Sequence, residues 1–213
     1  MLGLFAGVVF TLIGAAFVVG LVVADARGSR LRVVAKPAAS MCFLAAAVAV
    51  GALDSAYGAW VFVALVLSAI GDVALLGSAT PAFLLGLGSF LLGHVAYTVG
   101  FAVRGLDVGW VFAAAALLAV PLMVVLRWLL PHAESMRGPV IAYAAVISAM
   151  VAAAAGTFGF DVDARILIGA LAFYVSDLAV ARDRFVTPGP TNRLWGLPLY
   201  YAAQFLLAWS AAT

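Results

Sequence analysis

The feature that most constrains this chain is a series of apolar runs, each about as long as a bilayer is thick. Residues 4–23 read LFAGVVFTLIGAAFVVGLVV, without a single charge. Because about 20 apolar residues span the hydrocarbon core as a helix, this run alone predicts a membrane helix. A β-barrel strand would instead alternate apolar and polar residues. The runs therefore predict an all-α membrane protein.

Composition extends this prediction to the whole chain. Hydrophobic residues make up 67% of the sequence, charged residues 9%, and the mean hydropathy is +1.22, whereas about a quarter of the residues of a soluble domain are charged. We expect one integral membrane domain over residues 1–213, with a first helix that is retained, since its positive charges follow it. The eight predicted transmembrane helices cover residues 3–24, 37–53, 59–78, 81–103, 108–127, 139–157, 164–181 and 194–212.

Positive charges are distributed unevenly over the predicted connections. The odd-numbered connections hold nine Lys and Arg residues and the even-numbered ones hold two. The positive-inside rule then predicts that odd loops are cytoplasmic and that both termini lie outside, as in a multi-pass protein of the plasma membrane. The nine are Arg27, Arg30, Arg32, Lys36, Arg127, Arg137, Arg182, Arg184 and Arg193, and the two are Arg104 and Arg165.

Two acidic residues lie inside apolar runs. Asp72 occurs in SAIGDVALLG and Asp177 in ALAFYVSDLAVA. A carboxylate at mid-membrane costs about 2.5–3.5 kcal/mol on insertion scales, so acids in such places usually bind, relay protons or catalyse. The two aspartates are therefore the main candidates for catalytic residues.

The positions of these acids predict a shared cavity. Both lie about five or six residues before a predicted cytoplasmic loop, on helices that run in the same direction, and so at similar depth in the inner leaflet. We expect them to face one cavity that opens to this leaflet, with their carboxyl groups under about 10 Å apart. Their equivalent places also suggest a parallel four-plus-four repeat. Other predicted lining residues are Tyr143, Tyr200 or Tyr201, and Gln204.

Several other chemistries are excluded or disfavoured by the sequence. There is no G-x-S-x-G nucleophile elbow and no Gly-rich phosphate loop. With two histidines, one of them the loop residue His132, and a single cysteine, Cys42, no metal site is expected. The net charge of +2 does not indicate a nucleic-acid partner. A pair of carboxylates remains, which suits acid–base chemistry with water as nucleophile.

The chain resembles the YhhN-like lysoplasmalogenase family of eight-helix membrane proteins. The resemblance covers nearly the whole chain and depends on an ordered set of short motifs. These are Lys36-Pro37 at the predicted start of helix 2, Gly71-Asp72, FLLGLGSFLLGHVAY over residues 83–97, Tyr143, GALAFYVSD over 169–177, and YYAAQ over 200–204. Pro198, two residues before Tyr200, departs from the pattern and puts the placement of the YYAAQ segment in doubt.

The resemblance implies hydrolysis of the vinyl ether bond of lysoplasmalogens, a lysophospholipid substrate taken from membrane lipid, and no cofactor. The products would be a fatty aldehyde and glycerophosphoethanolamine or glycerophosphocholine. Asp72 and Asp177 would share proton donation and activation of water, with either acid in either role. Lys36 or nearby loop arginines would hold the phosphate. Independently of the resemblance, His94 lies about 13 residues into its predicted helix, which is too deep to touch Asp72. The residues expected to bind or orient are Lys36, His94, Tyr97, Tyr143, Tyr200, Tyr201 and Gln204.

Two other classes of function fit parts of the pattern. A small proton-coupled transporter would also carry embedded acids and parallel repeats, and Pro121 and Pro198 inside predicted spans would suit its broken helices. A scaffold subunit would explain the small packing residues but not the two acids. The very short connections favour the hydrolase over the transporter.

Overall fold

The computed structural model describes residues 1–212, and over that range the chain forms eight α-helices joined by short turns. The all-α prediction is confirmed, and each predicted span corresponds to one helix. The helices are α1 (Leu2–Ala26), α2 (Arg32–Ala49), α3 (Ala56–Ala74), α4 (Thr80–Arg104), α5 (Val108–Leu129), α6 (Arg137–Asp161), α7 (Ala164–Ala181) and α8 (Pro190–Ser210).

Within the described residues, seven segments are long enough and apolar enough to cross a membrane, and they contain α1 to α7. The protein is thus an integral membrane protein. Helix α8 is less apolar than these seven segments. It carries Asn192 and Arg193 in its first turn and the polar residues Tyr200, Tyr201 and Gln204 further along. Many of its side chains are buried against other helices, so polar residues there need not face lipid.

Two helix boundaries differ from the prediction in a way that affects the site. Helix α2 begins at Arg32, so Pro37 lies inside it rather than at its start. Hydropathy placed the start too late because it excluded Lys36, whose side chain points inward. Helix α3 ends at Ala74, whereas the predicted span continued to residue 78. The prediction was too long because Leu75 and Leu76 are apolar, although they belong to the following turn. Asp72 is therefore closer to its helix end than predicted.

The helices pack most extensively as consecutive pairs: α1 with α2, α3 with α4, α5 with α6, and α7 with α8. Equivalent contacts recur in the two halves, since α2 packs on α3 and α8 while α6 packs on α7 and α4. This pattern agrees with the predicted parallel repeat. The halves differ in that α1 also packs along α8. Most of α5 is exposed, so this helix presents its apolar surface to lipid.

Charged residues close the end of the bundle at the turn between α6 and α7. Arg104 contacts Asp161 and Asp163, and Arg165 contacts Asp163 over 2.8 Å. The two arginines also donate to backbone oxygens of Ser210 and Trp209 near the end of α8. Asp163 caps α7 by accepting from the backbone N–H of Arg165. We call Arg104, Asp161, Asp163 and Arg165 the α6–α7 cluster.

Candidate active site

A cavity of about 500 Å³ lies between the helices, near the other end of α7, and both Asp72 and Asp177 are on its wall. Its volume is within the range of sites for small molecules. The predicted shared cavity is therefore present. Much of its wall is apolar, with Leu21, Leu87 and Ile147 among the lining residues.

Asp72, near the end of α3, is surrounded by hydrogen-bond donors. Tyr200 of α8 and Ser40 of α2 each donate to its Oδ2 over 2.7 Å. The ammonium group of Lys36 lies 3.2 Å from Oδ1. The residue is 1% exposed. Burial disfavours a charge on Asp72, whereas the contacts with Lys36, Ser40 and Tyr200 favour the ionised carboxylate.

Close packing of α3 against α4 brings Phe90 against Gly71, the residue before Asp72. A Cβ atom added at Gly71 would lie 2.6 Å from the Phe90 ring, so glycine is required for this approach. The Phe90 ring also packs edge-on against Tyr200, with ring centroids 5.7 Å apart. Helix α8 continues through Pro198, and Tyr200 reaches Asp72. The doubt raised by this proline is thereby resolved for Tyr200.

Asp177 of α7 has a different set of partners. Tyr143 of α6 donates to its Oδ2 over 2.7 Å. Nε2 of His94 in α4 lies 3.4 Å from the same oxygen. The Asp177 side chain is 14% exposed. Its partners come from α6 and α4, as those of Asp72 come from α2 and α8, so the two acids occupy equivalent sites in the two halves of the fold.

His94 is fully buried between aromatic rings. Its ring lies 4.4 Å from that of Phe173 and 5.3 Å from that of Tyr143. Its Nδ1 is 2.5 Å from the backbone oxygen of Phe90. The carboxylate nearest to Nε2 of His94 is that of Asp177. The sequence did not predict this contact, because it placed both acids at one depth and His94 deeper.

The remaining predicted residues lie behind the cavity wall. Tyr97 donates to Oε1 of Gln204 over 2.6 Å, and both side chains are fully buried. Tyr201 donates to the backbone oxygen of Lys36 over 3.1 Å. Of the described residues that line the cavity, Tyr143 and Tyr200 were predicted, but Gln204 and Tyr201 are not among them. The expected lining role of Gln204 is thus corrected, because it faces Tyr97 in the bundle interior.

Charged residues surround the cavity beyond the two acids. Arg193 contacts both Asp25 and Asp183, and Arg32 lies 3.7 Å from Asp25. Arg184 stacks over the Phe83 ring at 4.4 Å. All of these residues line the cavity. A group that carries a positive and a negative charge, such as a phospholipid head group, could bind to the aspartates and arginines of this lining.

Comparison with known proteins identifies the family. The sequence pattern of the YhhN family matches residues 31–211. The chain belongs to the YhhN family. This YhhN-family chain is 35% identical to human lysoplasmalogenase TMEM86B over 151 residues, 70% of this chain and 61% of that protein. It is 32% identical to bovine lysoplasmalogenase TMEM86A over 165 residues, 71% of this chain and 64% of the relative. The match thus covers less than two thirds of either relative. No solved structure gives a significant match.

Ser40 is a contact of Asp72 in this YhhN-family chain that the sequence did not reveal. It is one of many small residues in an apolar helix, so its type carries no signal. Its spacing does, because Ser40 and Lys36 are four residues apart and share a face of α2. Both contact Asp72. Among residues 1–212, no three His, Cys, Asp or Glu side chains are grouped so that they could hold a metal ion.

Proposed function

We propose that this protein is a membrane lysoplasmalogenase, which hydrolyses the vinyl ether bond of lysoplasmalogens to a fatty aldehyde and glycerophosphoethanolamine or glycerophosphocholine. The observation that carries the proposal is that Asp72 and Asp177 line one cavity inside an apolar bundle. The names of the YhhN-family relatives, lysoplasmalogenases TMEM86A and TMEM86B, support the same activity.

The reaction requires the groups that this cavity contains. A vinyl ether is cleaved when an acid protonates the alkene carbon remote from oxygen, which leaves an oxocarbenium ion. Water then adds to give a hemiacetal, which breaks down to the aldehyde and the alcohol. One proton donor and one anion are sufficient, and a pair of carboxyl groups in a low-dielectric site can supply both. Lys36, Tyr143 and Tyr200 hold the two carboxyl groups in place through the contacts described above.

The cavity also suits the shape of a lysophospholipid. Its apolar walls would accommodate the single chain, and its charged lining would bind the head group. We assign the phosphate to Arg32 or Arg184, since the Lys36 ammonium is already next to Asp72. The carboxylates of Asp25 and Asp183 lie on the same lining and would attract the ammonium group of ethanolamine or choline. Tyr97, Tyr201 and Gln204 support this wall from behind.

The charge distribution supports a topology with cytoplasmic odd-numbered loops, external termini and a cavity that opens to the cytoplasmic leaflet. Reporter tags at both termini should then report an outside location, and a tag in the turn at residues 27–31 an inside one. A C-terminus on the cytoplasmic side with the N-terminus outside would mean that α8 does not cross the membrane, and would contradict this topology.

The activity is tested by incubating the purified protein with lysoplasmenylethanolamine and measuring free aldehyde. The matched control is the saturated 1-alkyl lysolipid of the same chain length and head group, which has no alkene to protonate. We expect aldehyde from the vinyl ether alone. Absence of aldehyde from the well-folded protein would contradict the proposal, and solute counterflow in liposomes without hydrolysis would favour the transporter.

A further inference from the structure

We infer that the two aspartates begin the reaction in different protonation states: Asp177 shares a proton with His94 and delivers it to the vinyl carbon, while Asp72 begins as the anion that stabilises the oxocarbenium ion and then accepts the proton released by water. This inference rests on the proposed lysoplasmalogenase function and deepens it. It makes Asp177 and Asp72 catalytic residues and His94 a positioning residue that acts through Asp177.

The hydrogen bonds of His94 determine which ring nitrogen carries hydrogen. Nδ1 lies 2.5 Å from the backbone oxygen of Phe90. A carbonyl oxygen can only accept, so Nδ1 must be the donor. In the neutral imidazole, Nε2 then bears a lone pair. Among the described residues, this buried Nε2 has no hydrogen-bond partner, and it lies 3.4 Å from Oδ2 of Asp177.

Two acceptors that face each other in a buried site need a proton between them. If Asp177 were ionised and His94 neutral, the Nε2 lone pair would face a carboxylate oxygen, which is unfavourable. One added proton removes the conflict. Because the His94 ring is fully buried, charging it to imidazolium is costly, so we place this proton on the Asp177 carboxyl group, which can then donate to Nε2. Asp177 lines the cavity, so its proton is available to a substrate there.

The surroundings of Asp72 favour the opposite state. Lys36, Ser40 and Tyr200 all present hydrogen to it. The single hydrogen of Ser40 Oγ is shared between Oδ2 of Asp72 and the backbone oxygen of Lys36, which lies 3.0 Å from Oγ. A protonated Asp72 would leave the Lys36 ammonium without an anion in a mostly buried position. Asp72 is therefore a carboxylate when the substrate binds, and it carries the negative charge that the oxocarbenium ion requires.

The proton returns to its starting position at the end of the cycle. Asp177 gives its proton to the alkene carbon remote from oxygen, and the alkene electron pair forms the new C–H bond. Water adds through oxygen to the oxocarbenium carbon, and its released proton goes to Asp72. Asp72 then protonates the departing ether oxygen as the C–O bond breaks, while the hemiacetal hydroxyl gives its proton back to Asp177. The sum is vinyl ether plus water to aldehyde plus alcohol.

Other titratable groups face the Asp177–His94 pair and must be kept constant in any test. Tyr143 of α6 donates to Asp177. Tyr174 of α7, Asp72 of α3 and Tyr200 of α8 line the same cavity. The other charged residues on the described lining are Asp25, Arg32, Lys36, Asp183, Arg184 and Arg193. A substitution at His94 leaves all of them unchanged.

The first test compares pH profiles of kcat for H94N and S40A. The Asn amide can keep the bond to Phe90 but has no group in place of Nε2. Since one of two sites for the shared proton is lost, the alkaline limb should move to lower pH, with kcat reduced and KM nearly unchanged. S40A removes a donor to the Asp72 anion and should move only the acid limb, to higher pH. An unmoved alkaline limb in H94N would overturn the inference.

A second test needs no turnover, so it separates this inference from the proposed function. The infrared C=O band of a protonated carboxyl group should be present in the wild-type protein, absent in D177N and retained in D72N. Loss of the band in D72N and its retention in D177N would reverse the assigned roles. If the band pattern is as expected but no lysoplasmalogen is hydrolysed, the protonation states stand and the proposed substrate is wrong.

Discussion

Two groups of acidic residues in this protein, both held by hydrogen-bonding partners, differ in what surrounds them. In the α6–α7 cluster, Asp161 and Asp163 face arginines, and the arginines complete their hydrogen bonds on backbone oxygens of α8. Asp72 and Asp177 also have partners, but they face a cavity of about 500 Å³. The described lining of that cavity includes neither Asp161 nor Asp163.

The comparison shows that an acid near a helix end with a full set of partners does not by itself indicate catalysis. In the α6–α7 cluster the charges hold the ends of α4, α6, α7 and α8 together, and none of the four residues is on the described lining of the cavity. At the cavity the same residue type has an open side. A paired acid beside empty, partly apolar space is the combination that favours chemistry on a lipid.

The largest expected effect is on turnover, and it should separate the two regions. D177N and D72N should each lower aldehyde release per folded protein by about 10²–10⁴-fold, because a general acid or base typically contributes this much. D163N should leave turnover near that of the wild type. Near-normal activity of either cavity variant, or a comparable loss in D163N, would remove the distinction between the regions.

Stability should distinguish the two cavity acids from each other. D72N leaves the Lys36 ammonium without its anion, and breaking a buried pair in this way costs about 3–5 kcal/mol. The double variant K36M/D72N should recover much of that loss in thermal unfolding while remaining inactive. D177N should be destabilised less than D72N, because its partners Tyr143 and His94 carry no obligatory charge. Equal destabilisation by D72N and D177N would contradict this reasoning.

The smallest effect concerns the α6–α7 cluster and its response to pH. Burial raises the pKa of Asp163, but hydrogen bonds from Arg165 and the charges of Arg165 and Arg104 lower it by more, so the pKa of Asp163 lies below its ordinary value. The resulting stability is present above the ordinary carboxyl pKa and is lost as the pH falls through the lowered pKa.

The measurement is the melting temperature of the wild type and D163N against pH. D163N should be less stable at neutral pH by about 1.5–3 kcal/mol, the usual contribution of hydrogen bonds to a charged group. The gap should narrow on acidification. A gap that widens at low pH would mean that Asp163 does not stabilise the folded state as a carboxylate.

Much of the fold could be predicted from hydrophobicity alone, because a bilayer requires long apolar helices and each apolar run gives one. The two acids stood out for the same reason, since the membrane makes any embedded charge unfavourable. Their shared cavity followed from the common direction of helices 3 and 7.

Sequence could not give the contacts within the site. Hydropathy counted Lys36 as the end of a loop, although its side chain turns inward to Asp72. Ser40 has no compositional signal, and the contact of His94 with Asp177 depends on how α4 and α7 pack. Gln204 looked like a cavity residue because it is polar, yet its partner is Tyr97. Which residues contact each other depends on the rotation of each helix about its axis and on the direction of its side chains. Neither can be determined from the local sequence.

The central claim, that both acids act on one bond in one cavity, is tested most directly by an experimental structure with a bound 1-alkyl lysolipid. This saturated ether has the shape of the substrate but cannot be protonated at an alkene. We expect its first two chain carbons between Asp72 and Asp177, the carboxyl groups under about 10 Å apart, and the phosphate near Arg32 or Arg184. An ether segment that contacts one acid only, or that binds outside this cavity, would contradict the account.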